Sequence, residues 1–282
     1  MERYGGMRHI LVPDSQRYAH MNTGELRDSF LIASLFTADT INLNWCDLDR
    51  AIIAGAVPTS RPLPLLASEA MRCEYFLQRR ELGALNIGGA GTIVVDGVRY
   101  DLANGDGLYI GLGSKDITFG SVAAREPAKF YLLSFPAHRQ YPTTLIRRDS
   151  ITPLDLGSPA GSNQRRLYKY IHPDGVKSCQ LVMGFTRLAP GSVWNTMPPH
   201  THLRRSEIYL YFDLPADARV LHLMGRPDET RHLMVADGEV VLSPPWSIHA
   251  GAGTAAYSFC WGMGGENQQF TDMDGVAVAE LR

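Results

Sequence analysis

The stretch His200-Thr-His-Leu-Arg-Arg-Ser-Glu207 organises this sequence, together with His249 further along the chain. Side chains of a β-strand alternate between its two faces, so His200 and His202 are predicted to point the same way. Glu207 lies an odd number of residues beyond His202, and an unbroken strand would therefore aim it at the opposite face. We infer that the four intervening residues form a turn and that Glu207 opens the next strand.

Three imidazoles and one carboxylate that converge inside a barrel suit a divalent transition metal such as zinc, iron or manganese. A His-x-His pair alone is a weak signal, because a surface strand can carry one by chance. Two neighbouring segments strengthen it. Glu207 is followed by the β-prone residues 208–212, and His249 lies in a proline-rich turn after the strand-like residues 239–242. The sequence therefore predicts a metal centre with the ligands His200, His202, Glu207 and His249.

Composition places the chain among globular proteins. With 282 residues, of which 45% are hydrophobic, it is long enough for two domains. Its 27 basic and 29 acidic residues nearly balance, and the basic residues form no large cluster. Nucleic-acid backbones are bound by basic surfaces, so we expect no nucleic-acid partner.

No membrane segment and no secretory signal are predicted. The N-terminus lacks the apolar segment of a signal peptide, and no later run approaches the roughly 20 apolar residues that span a bilayer. The cysteines Cys46, Cys73, Cys179 and Cys260 are scattered without a C-x-x-C pair. This usage favours free thiols in a reducing compartment, and we expect a cytoplasmic protein.

One short N-terminal helix and many strands are predicted. Apolar residues follow helical spacing over residues 24–36, with Asn22 or Thr23 available as the N-cap. Most of the remaining chain alternates short β-prone runs with glycine and proline, and Asp96-Gly97 is the sharpest hairpin signal. Regularly spaced strands of this kind are typical of β-sandwiches and small barrels, so the expected fold class is all-β.

The chain is predicted to contain two related halves. Residues 147–165 carry glycines and prolines that indicate a connector, which gives domains of 1–150 and 151–282. Residues 74–83 can be aligned with residues 200–209, and this alignment places Glu81 on Glu207 but leaves the two histidines without counterparts. The first half is therefore expected to retain the fold and to lack the metal.

Several segments resemble the 5-keto-4-deoxyuronate isomerases, or 4-deoxy-L-threo-5-hexosulose-uronate ketol-isomerases. Two of them are Trp194-Asn-Thr-Met-Pro-Pro-His-Thr-His and Ser243-Pro-Pro-Trp-Ser-Ile-His, and others are residues 79–93, 261–268 and 272–274. The likeness covers nearly the whole chain. It implies a mainly β bicupin, in which a metal-free N-terminal cupin barrel precedes a metal-binding C-terminal one.

The resemblance also implies an activity. Members of this family are zinc-bound aldose–ketose isomerases, typically homohexamers, that convert 5-dehydro-4-deoxy-D-glucuronate to 3-deoxy-D-glycero-2,5-hexodiulosonate in pectin breakdown. The family's metal ligands fall on the four residues already chosen by spacing, although Fe²⁺ or Mn²⁺ could replace Zn²⁺. Related sequences tend to have glutamate where Leu203 stands and methionine where Ser206 stands, and neither position is a ligand.

An isomerisation of this class moves a hydrogen between C1 and C2, which a Lewis-acid metal and one acid/base can achieve. Tyr209 and Tyr211 share the strand face of Glu207 and are predicted to point into the barrel. A tyrosine hydroxyl, or hydroxide on the metal, could move the proton. The alternative is that both tyrosines fill the core with their hydroxyl groups hydrogen-bonded.

The uronate substrate carries a carboxylate, which arginine can bind through two hydrogen bonds. The candidates are Arg204, Arg205, Arg231 and Lys169, and the ordinary alternative for each is a solvated surface charge. Two other functions stay open: a cupin dioxygenase that uses an open position on iron, and a sugar-binding or storage cupin without catalysis.

Overall fold

The computed structural model describes residues 3, 4 and 6–282, which form mainly β-strands. The strands of the first half, numbered in chain order, are β1 (Arg3–Tyr4), β2 (Met7–Ile10), β3 (Leu31–Ile32), β4 (Ile41–Cys46), β5 (Ile52–Ala56), β6 (Leu63–Pro64), β7 (Arg80–Asn86), β8 (Gly91–Val95), β9 (Val98–Leu102), β10 (Gly107–Ile110), β11 (Ile117–Ser121), β12 (Phe130–Pro136) and β13 (Thr144–Ile146).

The strands of the second half are β14 (Leu154–Leu156), β15 (Arg165–Ile171), β16 (Val182–Leu188), β17 (Trp194–Asn195), β18 (His200–Thr201), β19 (Arg205–Phe212), β20 (Val220–Arg226), β21 (Glu229–Val235), β22 (Val240–Ser243), β23 (Ala250–Gly253), β24 (Ser258–Gly265) and β25 (Asp274–Gly275). The helices are α1 (Thr23–Phe30) and the short 3-10 turns Arg17–His20, Leu48–Arg50, Glu69–Met71, Arg148–Ser150 and Val278–Glu280. The predicted all-β class, with one short N-terminal α-helix, is confirmed for the described residues.

The chain forms two compact units, each made of more than one segment. The first comprises the described residues of 1–10 with 35–151 and 170–182, and the second comprises 11–34, 152–169 and 183–282. The predicted domains were 1–150 and 151–282. In the structure, residues 11–34 belong to the second unit and residues 170–182 belong to the first. Within the second unit, Tyr18 and Phe30 pack on Trp246, with ring centroids 4.7 and 6.3 Å apart respectively.

The first unit is built from two sheets around an apolar core. Its eight-stranded sheet has the order β1-β2-β4-β5-β12-β7-β10-β13, and its four-stranded sheet has the order β6-β11-β8-β9. Leu82 and Leu132 from the larger sheet are buried in one cluster with Ile93 and Phe119 from the smaller sheet. Such alternating inward-facing side chains from two sheets make the interior of a double-sheet barrel.

The second unit repeats this plan with a seven-stranded sheet, β14-β15-β16-β24-β19-β22-β3, and a four-stranded sheet, β17-β23-β20-β21. A two-stranded pair, β18-β25, completes it. Tyr211 of β19 and His222 of β20 meet in the interior, where the tyrosine Oη lies 2.7 Å from His222 Nδ1. The interior of this unit is therefore partly polar, whereas the core cluster of the first is apolar.

The helix is shorter than predicted. Asn22 caps it, and a capping box with Glu25 satisfies backbone N–H groups of the first turn. We predicted a helix that continues to Phe36, but it ends at Phe30 because the next two residues form β3, which pairs with β22. Tertiary pairing overrides the helical spacing of these apolar residues.

The hairpin prediction at Asp96-Gly97 is confirmed. Val95 of β8 pairs with Val98 of β9, so the two residues make the whole connection. Both have positive φ, 49° for Asp96 and 83° for Gly97, as a two-residue hairpin turn of this type requires.

The predicted alignment of Glu81 with Glu207 is wrong by one residue. In β19, Glu207 is paired with Ser243, the last residue of β22. In β7, the residue paired with Ile110, the last residue of β10, is Leu82. Because a shift of one residue turns a strand side chain to the other face, Leu82 takes the inward position of Glu207 and Glu81 points away from that core.

Glu81 instead ties together segments of the first unit. Its side chain is fully buried and accepts a hydrogen bond of 2.8 Å from the Tyr109 hydroxyl. The backbone N–H groups of Cys179, Gln180 and Leu181 donate three more hydrogen bonds, of 2.6, 2.8 and 2.9 Å. A buried carboxylate is tolerated here because both of its oxygens are fully paired.

The cysteines are free thiols, as predicted. None of the helices in the described part of the chain has the length and apolar character needed to cross a bilayer.

Replacing Glu81 with glutamine should destabilise the first unit. The amide keeps one acceptor oxygen but turns an NH₂ group toward backbone N–H donors, so we expect a loss of about 3 kcal/mol in the free energy of unfolding, measured in urea. The exposed Glu74→Gln variant is the matched control and should lose less than about 0.5 kcal/mol. Equal stability of the two variants would contradict the role assigned to Glu81.

Candidate metal centre

Four predicted ligands meet at one point in the second unit. One side-chain atom from each of His200, His202, Glu207 and His249 lies within 4.8 Å of all the others. His200 Nε2 is 3.0 Å from the Nε2 atoms of both His202 and His249. Glu207 Oε2 lies 2.9 Å from His202 Nε2 and 3.0 Å from His249 Nε2.

The local sequence brings these side chains together through a tight turn. β18 ends one residue before His202, and the His202 carbonyl accepts a hydrogen bond of 3.1 Å from the Arg205 N–H, which closes the turn. The predicted turn is therefore confirmed but shorter, because β19 begins at Arg205 and not at Glu207. Glu207 remains on the inward face, and His249 directly precedes β23.

The histidines are oriented by contacts of their second ring nitrogen. His202 Nδ1 lies 2.8 Å from the carbonyl oxygen of Asp272, to which it can donate its proton. His249 Nδ1 lies 3.2 Å from Ser243 Oγ. A metal-binding histidine typically donates its other N–H in this way, because this leaves the lone pair of the ligating nitrogen facing the ion.

The protonation states also suit a cation. Burial, followed by the nearby His249, lowers the pKa of His200 to about 3, so its imidazole is neutral near neutral pH. Burial alone would raise the pKa of Glu207, but the charge and hydrogen bonds of His249 and His202 hold it well below its usual value. The centre therefore presents a neutral imidazole at His200 and a carboxylate at Glu207.

The donor set fits a divalent transition metal. Metal–nitrogen bonds of 2.0–2.1 Å in a tetrahedral site place neighbouring donor atoms about 3.3 Å apart. The measured contacts of 2.9–3.0 Å are close to this spacing. Three imidazole nitrogens packed against one carboxylate oxygen, with three of the four residues buried, could hold one such ion.

A cavity of about 300 Å³ opens onto this centre. His200, His202, Glu207 and Tyr209 form one part of its wall. The remaining lining residues are mostly apolar: Leu156, Arg165, Leu167, Thr186, Thr196, Met197, Pro198, Phe259, Trp261, Met263, Phe270 and Met273. Catalytic metal sites differ from structural ones in keeping such an open side for a small molecule.

The two predicted tyrosines point inward, as expected, but only one reaches the cavity. Tyr209 lines it and hydrogen-bonds with Glu207 and Thr196. Burial and the negative charge of Glu207 raise the pKa of Tyr209 well above its usual value. Tyr211 is buried away from the cavity, with its hydroxyl on His222.

The predicted substrate-binding arginines are placed elsewhere in the described structure. Arg204 forms ion pairs with Asp272 and Asp274, at 2.5 and 3.0 Å. Arg205 is only 1% exposed, and its Nη2 lies 2.8 Å from the Asp272 carbonyl oxygen. Neither residue lines the cavity.

Arg231 binds Glu229 at 2.7 Å and the carbonyl of Ala19 at 2.6 Å, and it too is absent from the cavity wall. Lys169 is closer to the site, because its Nζ lies 4.2 Å from the ring centroid of the cavity residue Phe270. A role in substrate binding stays a prediction for each of these residues.

Sequence reasoning missed two residues of the candidate site, Asp272 and Arg165. Asp272 holds His202 through its main-chain carbonyl, and its carboxylate accepts hydrogen bonds of 2.6 Å from both Arg204 and Asn267. Arg165 lines the cavity. The motif at 272–274 drew attention to Asp272. The sequence does not reveal its contact with His202, however, because every residue has a main-chain carbonyl. Arg165 lies about 35 positions before the ligands, and only folding brings it near them.

Comparison with known proteins identifies relatives over most of the chain. Residues 45–278 match the KduI/IolB family. A protein of Lachnoclostridium phytofermentans named 4-deoxy-L-threo-5-hexosulose-uronate ketol-isomerase is 55% identical over 263 residues, which cover 93% of this chain and 95% of the relative. A protein of the same name from Kineococcus radiotolerans is 52% identical over 277 residues, covering 95% of this chain and 99% of the relative.

Solved structures share the fold at low identity. An IolB-like protein from Salmonella typhimurium superposes with a TM-score of 0.72 at 13% identity, covering 88% of this chain and 96% of its own. Oxalate decarboxylase from Lactobacillus farciminis superposes with a TM-score of 0.56 at 9% identity, covering 81% and 79%. These likenesses confirm the predicted cupin-type fold.

Removing one ligand should abolish metal retention. We expect His249→Ala protein to hold less than about a tenth of the metal bound by the wild type after dialysis, because loss of a ligand weakens the chelate. Elemental analysis by mass spectrometry measures this. His232→Ala, which removes an exposed histidine of the same unit, is the control and should keep its metal. Full metal content in His249→Ala would rule out this centre.

Proposed function

The chain belongs to the KduI/IolB family, and we propose that it is a metal-dependent ketol-isomerase that converts 5-dehydro-4-deoxy-D-glucuronate to 3-deoxy-D-glycero-2,5-hexodiulosonate. The observation that carries this proposal is the convergent set of three histidines and one glutamate on the wall of a small cavity. It occurs in a chain at least 50% identical to named uronate ketol-isomerases over more than nine tenths of its length.

The reaction moves one hydrogen from C2 to C1 while the carbonyl group relocates from C1 to C2, so no external oxidant is needed. A divalent cation held by the four ligands would supply a Lewis acid that polarises the substrate carbonyl. We expect zinc in this role, by resemblance to the family.

Tyr209 is the residue best placed to handle a proton. Its raised pKa keeps the phenol protonated at neutral pH, so its Oη can donate a hydrogen bond or a proton to a substrate oxygen. The hydroxyl is already fixed beside Glu207 and Thr196, which limits its motion before the substrate arrives. Tyr211 does not line the cavity, and its hydroxyl bonds with His222, so we assign it a supporting role.

The apolar walls serve the same chemistry. Phe259, Trp261 and Met263 form part of the cavity and limit its water content. Trp261 is held in place by a hydrogen bond of 3.2 Å from its Nε1 to the hydroxyl of Thr186. In a site with little water, hydrogen bonds and charges act more strongly on the substrate than they would in solution.

The alternative functions, a cupin dioxygenase and a sugar-binding or storage protein, have no contact in the described structure that favours them. The likeness to oxalate decarboxylase concerns the fold alone. A homohexameric assembly, a role in pectin breakdown and a cytoplasmic location stay predictions based on the family resemblance.

Metal removal should abolish isomerisation. Protein treated with a chelator should retain less than about 1% of its activity on freshly prepared 5-dehydro-4-deoxy-D-glucuronate, and one equivalent of Zn²⁺, Mn²⁺ or Fe²⁺ should restore it. The assay is run under argon, because turnover without oxygen excludes a dioxygenase. An unimpaired metal-free protein, or a fully loaded protein without turnover, would refute the proposal.

Substitution of Tyr209 and of Tyr211 by phenylalanine should lower kcat to different extents. Tyr209→Phe is expected to lower kcat at least about 100-fold, because it removes the proton donor from the cavity. Tyr211→Phe should change kcat less than about tenfold but lower the melting temperature, since His222 loses its partner. Metal content is measured in both variants, and equal kcat values would argue against an acid/base role for Tyr209.

A further inference from the structure

The cavity beside the metal centre has an unusual charge pattern. Among the described residues that line it, Arg165 is the only charged one besides the candidate ligands. The rest of the cavity wall is formed largely by apolar side chains such as Leu167 and Phe259. A guanidinium on an apolar wall favours the binding of an anion, because the water in a small cavity solvates the cation less well than bulk water does.

The hydrogen bonds of Arg165 leave most of its donors available. Its Nη1 donates to the carbonyl oxygen of Asn163 at 2.8 Å, which holds the side chain in place. Among the described residues, no carboxylate forms a salt bridge with it. Arginine has five N–H donors arranged as a fork, so those on Nε and Nη2 can meet both oxygens of one carboxylate.

The direction of this side chain follows from its strand. Residues at alternate positions of β15 share a face, so Arg165, Leu167 and Lys169 point the same way. The next residue, Arg166, points to the other face and binds the exposed Asp155 at 3.2 Å. The strand therefore carries two adjacent arginines, of which only one lines this cavity.

Burial lowers the pKa of Arg165, whereas the nearby Tyr257 and Tyr209 act in the opposite direction. An arginine stays charged at neutral pH even so, because its usual pKa is far higher. Arg165 also lines the same cavity as Tyr209, the acid/base candidate of the proposed mechanism.

We propose that Arg165 binds the carboxylate of the substrate and thereby selects uronates over neutral sugars. This inference rests on the proposed function, since it concerns the same cavity and the same substrate. His200, His202 and Glu207 line that cavity with Arg165, so a single small molecule can contact the metal centre and the guanidinium together. Arg165 is a binding residue: it fixes one end of the substrate so that the reacting carbons reach the metal and Tyr209.

Lys169 does not line the cavity but contacts the lining residue Phe270. Its ammonium lies over the ring of Phe270, so its charge is held near the cavity by a cation–π contact. A positive charge in this place favours the approach of acidic sugars to the cavity. We therefore expect Lys169→Gln to change KM less than Arg165→Gln does.

The test compares Arg165→Gln with Arg166→Gln on two substrates. The first is 5-dehydro-4-deoxy-D-glucuronate, and the second is the same compound with its carboxylate reduced to a primary alcohol. Arg165→Gln should raise KM for the acid at least about tenfold, with kcat within about threefold of the wild type. KM for the alcohol should not change, so selectivity for the acid falls by the same factor.

Two further variants make the result specific. Arg166→Gln alters an equally charged neighbour on the other strand face and should behave as the wild type. Arg165→Lys keeps the charge but not the two-pronged geometry, and it should recover only part of the affinity. Metal content is measured throughout, because a structural defect would lower it. An unchanged KM for the acid in metal-loaded Arg165→Gln, or an equal rise for acid and alcohol, would overturn the proposal.

A binding measurement separates this inference from the proposed function. If the wild type binds metal but does not isomerise the uronate, the proposed function fails. Titration calorimetry with D-glucuronate and with D-glucose then tests Arg165 alone. Glucuronate binding that is at least about tenfold weaker in Arg165→Gln than in the wild type supports carboxylate recognition, whereas absent or equal binding in the two proteins overturns it.

Discussion

The buried carboxylate of Glu207 is the group on which the second unit depends. It has almost no access to solvent, and burial alone would favour its neutral form. Its charge is retained because His202 and His249 surround one of its oxygens. A buried charge is costly unless it is paired or bound to a metal, and the whole cluster is therefore arranged around this oxygen. The turn that follows His202 and the position of His249 before β23 bring both histidines to this oxygen. The carbonyl of Asp272 orients His202.

The two units differ in the residue at one inward-facing strand position, and the candidate metal site of the second unit depends on that residue. Both have a large sheet and a four-stranded sheet, and both have a glutamate near the start of the central strand. In the first unit the inward position is Leu82, and the neighbouring Glu81 faces the other way, where backbone N–H groups bind it. A difference of one residue along a strand therefore separates a structural carboxylate from a candidate metal ligand.

The cavity brings together residues from separate parts of the second unit beside the candidate ligands. The ligands form one part of its wall, and β15 and the C-terminal segment contribute other parts through Arg165, Phe270 and Met273. The C-terminal segment also orients His202 through the carbonyl of Asp272, so one segment both lines the cavity and holds a candidate ligand. Binding, orientation and exclusion of water are thus coupled in one small region.

Sequence alone was sufficient for the set of four candidate ligands that the structure brings together, for the all-β class and for the hairpin at Asp96-Gly97. Each depends on local spacing or on local backbone preferences. Only the tertiary structure decided that the helix stops at Phe30, because β3 pairs with β22, a strand more than 200 residues later in the sequence. It also decided the register of Glu81, because strand pairing and not residue similarity sets which face is buried. The same holds for Arg165: a strand pattern shows that it and Arg166 point in opposite directions, but which of them meets the metal cavity depends on the packing of distant strands.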